Sequence, residues 1–177
     1  RRARSANGAL PDIDRRAVEE IRAQADSYLR HGDGMTWQQF EDETRQTVTD
    51  FVGVRRNEAG LKLALRALDA LARREPSLRA ADLPGLMRVH EAKNIRVNAE
   101  IMATASLARR ETRTGSSHRR LDFPHTDEAN WRRFVVVQRG GQGPEVRTLS
   151  TEQPLAAAFT RSFAIPPLDR RAARPCA

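Results

Sequence analysis

Arg109-Arg110-Glu111-Thr112-Arg113-Thr114-Gly115-Ser116-Ser117-His118-Arg119-Arg120-Leu121-Asp122-Phe123-Pro124 is the stretch on which the organisation of this chain turns. Upstream of it the apolar residues recur at helical spacing. Downstream they bunch into short runs broken by glycine and proline. A solvated charge run would account for the arginines, but not for Gly, His, Asp, Phe and Pro punctuating them in this order. Arg109 and Arg110 close a long helix, where guanidinium groups meet the negative end of the helix dipole. Arg113, His118 and Arg120 fall in the loop beyond it. Forked N–H donors there are suited to pin carboxylates or backbone carbonyls of a neighbouring domain.

Working back from this stretch, Asp82 is placed to cap a helix from Leu83 to Arg110, with Pro84 and Gly85 tolerated in its first turn. Leu86, His90, Ile95, Met102 and Ala105 are expected on its inner face, and Ala99, Ala103, Ala105 and Ala108 allow close helix contacts. Asn57 is positioned to cap a preceding helix with an apolar stripe of Leu61, Leu65, Leu68 and Leu71. Thr36 and Gln39 have capping-box spacing ahead of Phe40, Thr44, Val48 and Phe51, and Gly53 suits the end of that helix. Before it, Asp12 or Asp14 starts a helix carrying Val18, Ile21, Ala25 and Leu29 on one face, stopped at His31-Gly32-Asp33-Gly34. The expected helices therefore lie near 14–30, 36–52, 57–74 and 83–110.

Working forward, Phe134-Val135-Val136-Val137 reads as a strand, Arg139 to Pro144 as a turn, and Glu145 to Leu149 as its hairpin partner. The fold class is mainly α: a bundle of about four helices followed by a short β-hairpin and an extended C-terminal tail. Residues 1–11 form a flexible lead-in, 12–125 the helical bundle and docking loop, 126–150 the hairpin region and 151–177 the tail, which carries Pro154, Pro166, Pro167 and Pro175.

Composition narrows the function. The 177 residues are one domain's worth, and with 39% hydrophobic and only 5% aromatic residues the core must rest on aliphatic side chains and alanine. Mean hydropathy is −0.65. No run approaches the roughly 20 apolar residues that span a bilayer, so no direct membrane insertion is expected. Of 31 basic residues all but Lys62 and Lys93 are arginine, and the net charge of +8 is set against 23 acids interleaved along the chain. Cys176 is the only cysteine, which excludes an internal disulfide and a cysteine metal cluster and fits a reducing, cytoplasmic setting. No glycine-rich dinucleotide turn, phosphate loop, metal-ligand spacing or nucleophile elbow is present.

Ala108-Arg109-Arg110-Glu111-Thr112-Arg113, then His118, Arg120, Asp122-Phe123-Pro124 and Asn130-Trp131, resembles the end of the helical domain in the succinate dehydrogenase, fumarate reductase and aspartate oxidase flavoproteins. That pattern runs Ala-Arg-x-Glu-Ser-Arg-Gly-x-His-x-Arg-x-Asp-Phe-Pro. Thr112 replaces its serine, and a loop two residues longer is more similar to the adenylylsulfate reductase branch. Val52-Gly53-Val54-Arg55-Arg56-Asn57-Glu58-Ala59-Gly60-Leu61 also resembles the segment before the family's leucine-rich helix.

The resemblance implies the C-terminal helical part of an FAD-dependent oxidoreductase. FAD would be held mainly by a partner chain with the dinucleotide fold and the capping domain, and an iron–sulfur electron-transfer partner is compatible. No catalytic, cofactor-binding or metal-binding residue is assigned to this chain. Glu111, Arg113, His118, Arg120, Asp122 and Trp131 are candidates for docking it to the flavin domain. The first residue, Arg1, reads as the start of a processed fragment or of one half of a divided protein. The alternative is a basic helical module for nucleic-acid binding or assembly, without catalysis. The interleaved acids and scattered aromatics disfavour nucleic acid. His31, His90 and His125 read as structural or exposed, and Glu41-Asp42-Glu43 as a solvated helix face.

Overall fold

The helices begin where side chains supply the backbone's missing acceptors. The computed structural model describes residues 14–30, 32–113, 117–141 and 143–152. The lead-in 1–11, His31, the tail from 153 and Cys176 lie outside the described residues. Helix α1 (Arg15–Asp26) starts with Asp14 accepting from the backbone N–H groups of Arg16 and Ala17. At α2 (Trp37–Thr47) the full capping box is made: Gln39 N donates to Thr36 Oγ1 at 3.3 Å and Thr36 N to Gln39 Oε1 at 3.0 Å. A π-helical turn, Val48–Val52, extends α2 to Gly53. Strand β1 (Arg55–Arg56) follows, and Asn57 caps α3 (Glu58–Arg74) through Gly60 N at 2.8 Å. After a 3₁₀ turn, Glu75–Ser77, Asp82 caps α4 (Leu83–Ala108) through Gly85 N at 2.7 Å.

Beyond α4 come β2 (Arg119–Arg120), the single-turn α5 (Glu128–Trp131), β3 (Arg133–Gly140) and β4 (Gly143–Ser150). The last two pair antiparallel in register from Arg133–Ser150 to Gly140–Gly143, and Gly143 takes the positive φ of 127° that the turn requires. The hairpin packs against α4. The molecule is thus mainly helical with a terminal hairpin, as expected, with α5 added as a fifth, short helix.

Two adjoining apolar clusters hold the bundle. Phe40, Leu68, Leu71, Leu78, Leu86 and Val89 lie at the centre of the larger, and Val52, Leu61, Ala64 and Ala103 form the smaller. Ala92, Ala99, Ala103 and Ser106 lie on the buried face of α4, so α2 and α3 can approach it closely.

Three expectations change. No residue of α1 is buried; Val18 and Ile21 are 51% and 67% exposed, so among the described residues most of its apolar face is uncovered and only its end at Ala25 reaches α4, through His90. On α3 the inward register is Leu61, Ala64, Leu68 and Leu71, and Leu65 sits half-buried at the edge. On α4 the inner face is Leu86, Val89, Ala92, Arg96, Ala99, Ala103 and Ser106. Met102 is exposed, because α4 carries apolar residues around much of its circumference and periodicity alone does not select one face. Arg96 is tolerated inside because Glu75 and Glu100 accept from it at 3.0 and 2.9 Å.

Candidate functional site

Two arginines far apart in the sequence, Arg56 and Arg120, lock the loop beneath α4. Strand β1 pairs in parallel with β2, Arg55 opposite Arg119 and Arg56 opposite Arg120. The inner members are buried. Arg120, with no exposed surface, directs Nη1 to the carbonyls of Ser106, Leu107 and Arg109 at 2.7, 3.3 and 2.9 Å. These are among the last carbonyls of α4, which the helix cannot satisfy internally and where its dipole is negative. The other edge of the guanidinium grips Asp122 in a fork, Nε to Oδ1 and Nη2 to Oδ2, both at 2.8 Å. Asp122 Oδ2 in turn accepts from Glu58 N at 2.8 Å, at the positive start of α3. One ion pair therefore ties the C-terminus of α4 to the N-terminus of α3, each charge at the dipole end that favours it. Arg56 completes the lock, donating to Ser106 Oγ and to the Ser117 carbonyl.

Glu111 is the second centre. Its carboxylate is fully buried and accepts from Arg109, from Arg113 and from the backbone N–H of Asp127 at 2.9 Å. Burial alone would raise its pKa, but the hydrogen bonds from Arg113, Asp127 N and Arg109 outweigh it and hold the carboxyl below its usual range. Arg109 also donates to the carbonyls of Trp131 and Arg133 at 3.1 and 2.6 Å, and its guanidinium lies 5.6 Å from the centre of the Trp131 ring. Arg113 reaches on to Glu128 at 3.0 Å. Thr112, where the flavoprotein pattern has serine, uses its hydroxyl to accept from Arg120 N at 3.0 Å and donate to the Phe123 carbonyl at 2.9 Å.

His118 is half-buried in a cleft of about 400 Å³ lined also by Ser106, Arg109, Arg113 and Phe134. Burial, and then the charge of Arg56, push its pKa below the ordinary imidazole value, against the opposing hydrogen bond to the Arg109 backbone. His90 is satisfied structurally, Nε2 lying 3.0 Å from the Ala25 carbonyl and the ring edge-on to Tyr28. Glu41 and Glu43 are engaged with Arg45 and Arg74, and no cluster of metal-ligating side chains occurs among the described residues.

The structure thus brings Glu111, Arg113, His118, Arg120, Asp122 and Trp131 together in one loop region. The charges of Glu111, Arg120 and Asp122 are matched within the chain. Arg109 meets Glu111 and the start of the hairpin rather than the α4 dipole, which Arg120 serves instead. Sequence reasoning assigned no part to Arg56 or Ser106. The only signal for Arg56 was its place in the quoted segment before α3.

Asp122 makes this clamp pH-dependent. The hydrogen bonds from Arg120, and then Glu58 N–H, depress its pKa from 3.8 to about 2 against the opposing effect of burial. A depressed folded pKa gives stability that is complete above the unfolded value of 3.8 and disappears as pH falls towards about 2. Asp122→Asn should therefore flatten the fall in chemical-denaturation stability across that window. A variant that loses stability over it as steeply as the parent would assign the acid response elsewhere.

With this geometry in place, comparison with known proteins identifies the family. Residues 41–171 match the fumarate reductase flavoprotein C-terminal domain. The chain belongs to that family. An uncharacterized FAD-dependent oxidoreductase of Methanocaldococcus jannaschii is 34% identical over 97 residues, 55% of this chain and 17% of the relative. The solved adenylylsulfate reductase of Archaeoglobus fulgidus superposes with a TM-score of 0.73 at 22% identity, over 83% of this chain and 26% of that one. Escherichia coli quinol fumarate reductase FrdA gives 0.73 at 19%, over 85% and 27%. Mycobacterium smegmatis Sdh1, solved in complex with UQ1, gives 0.67 at 26%, over 97% and 32%. The chain therefore spans about a third or less of the family members it matches. No helix among the described residues is long and apolar enough to cross a membrane.

Proposed function

We propose that this chain is the C-terminal helical part of an FAD-dependent oxidoreductase and that it packs, without contributing a catalytic residue, against a flavin-binding chain carrying the dinucleotide fold and the capping domain. Membership of the flavoprotein C-terminal family carries the proposal. FAD itself does not fit the described residues. Their only sheets are a two-residue ladder and a hairpin, with no strand, glycine turn and helix to receive a pyrophosphate. Bound by the partner, the cofactor would supply hydride exchange with substrate carbon.

This chain's own residues supply rigidity. The Arg120–Asp122 clamp and the Glu111 centre fix the loop of docking candidates against α3, α4 and the hairpin, which presets the surface offered to the flavin-binding part. An iron–sulfur acceptor and a cytoplasmic location belong to the same proposal. Against the nucleic-acid alternative, the exposed helix arginines Arg16, Arg22, Arg45, Arg73 and Arg88 are each paired with an acid one turn away.

The experiment is co-purification of the chain with its flavin-binding part, followed by flavin absorbance. The expected result is a yellow assembly from which Arg113→Lys, which keeps charge but loses the fork, releases flavin or partner more readily. Collapse of turnover in that variant with assembly and flavin content unchanged would replace the docking role by a catalytic one. A colourless chain retained on DNA would overturn the proposal.

A further inference from the structure

The β1–β2 ladder has two sides, and only the inner one is satisfied from within. Arg56 and Arg120 point inward and meet Ser106, Ser117, Asp122 and the α4 carbonyls. Arg55 and Arg119 are directly opposite each other on the outer side and both are exposed. Among the described residues neither guanidinium has a hydrogen bond or an ion pair. Adjacent strands lie about 4.8 Å apart, and like charges held at that spacing repel. The backbone cannot relieve this. Arg119 N donates to the Val54 carbonyl at 3.0 Å and Leu121 N to the Arg56 carbonyl at 2.8 Å, while the inner arginines anchor both strands below.

We propose that Arg55 and Arg119 are a carboxylate-receiving pair, the point at which an acidic segment of the flavin-binding part lands on this domain. The proposal rests on the function proposed above and adds a contact and its chemistry. Two guanidinium groups carried by directly paired residues suit two neighbouring Asp or Glu side chains, or one carboxylate shared between them. Val54 and Leu121, 49% and 46% exposed, flank the pair and offer apolar surface that a polypeptide covers and a phosphate backbone does not. The position of Arg119 is variable in the flavoprotein pattern quoted above, so the pair adds a recognition feature beyond it.

The test uses the assembled enzyme. In the variant carrying Arg55→Lys and Arg119→Lys, carbodiimide coupling joins amines to carboxylates already in contact. Only Lys62 and Lys93 otherwise provide side-chain amines in this chain, so the products are readily assigned by mass spectrometry. Cross-links from position 55 or 119 to Asp or Glu of the flavin-binding part are expected. Arg55→Glu with Arg119→Glu should weaken association about tenfold or more and reduce its salt dependence, without lowering the melting temperature, since both side chains are exposed. If that variant misfolds, the alanine pair and the cross-links decide. Failure of the unaltered chain to associate with any flavin-binding part would remove the function on which the proposal rests. Normal association with no such cross-link and no effect of charge reversal would overturn the pairing alone. Loss of DNA binding with association unchanged would assign the pair to nucleic acid and equally overturn it.

Discussion

Arg120→Ala should destabilise the domain by about 4 kcal/mol, seen as a fall in melting temperature on the order of 10 °C. The side chain has no exposed surface, so its loss leaves a cavity where a guanidinium and its stem were. It also takes a donor away from the carbonyls of Ser106, Leu107 and Arg109 at the end of α4, where no further helical turn replaces it. Asp122, 28% exposed in its side chain, keeps the Glu58 N–H but loses its counter-charge. Arg120→Lys separates charge from geometry. A single ammonium cannot grip Asp122 and reach the α4 carbonyls together, so this variant should lose about half as much. The cation contact with Phe123, 5.0 Å from the guanidinium to the ring centre, disappears in the first and weakens in the second. Equal melting temperatures for all three proteins would mean that α3 and α4 are held by the apolar core alone.

The difference between what the sequence made legible and what it hid follows the range of the interactions. Caps and helical stripes are local. Thr36 with Gln39, and Asn57 and Asp82 with the residues three beyond them, are readable because donor and acceptor are fixed by one helical turn. The hairpin was equally readable from its β-branched run and glycine turn. Whether an apolar face finds a partner is not local. Val18 and Ile21 share a face of α1 as the spacing requires, yet among the described residues most of it is uncovered. The half-buried Leu65 marks a finer limit, since the choice between Ala64 and Leu65 as the inward residue depends on how closely α4 approaches.

The loop charges were hidden for a related reason. A two-residue parallel ladder between positions 55–56 and 119–120 has no period, so neither segment announces the other. Without it, Glu111, Arg120 and Asp122 read as exposed loop charges awaiting another domain. With it, their hydrogen-bonding capacity is taken up beneath α4, and any contribution to docking passes through the shape they impose. Arg55 and Arg119 escaped notice because alternation into an inner and an outer pair exists only once the strands are set side by side.

Glu111→Gln is expected to cost about 3 kcal/mol, and to do so unevenly along the chain. The buried carboxylate accepts from two guanidinium groups and one backbone N–H, more than a carboxamide oxygen can match, and the new amide N–H₂ would face donors. Arg109 and Arg113, 16% and 29% exposed, can turn partly to water, which keeps the cost below that of stranding a fully buried cation. What they release matters more. Arg109 fixes the carbonyls of Trp131 and Arg133 where α5 passes into β3, and Arg113 holds Glu128 on α5. The helical bundle keeps Phe40, Leu68 and Val89 and their neighbours untouched. Hydrogen exchange should therefore accelerate across Thr112, Asp127 and the paired N–H groups of β3 and β4, while the interior of α3 and α4 up to about Ala103 stays protected. Uniform acceleration along the whole chain would show that the loop, hairpin and bundle unfold as one unit. Unchanged exchange at Asp127 would remove Glu111 as the centre of this loop.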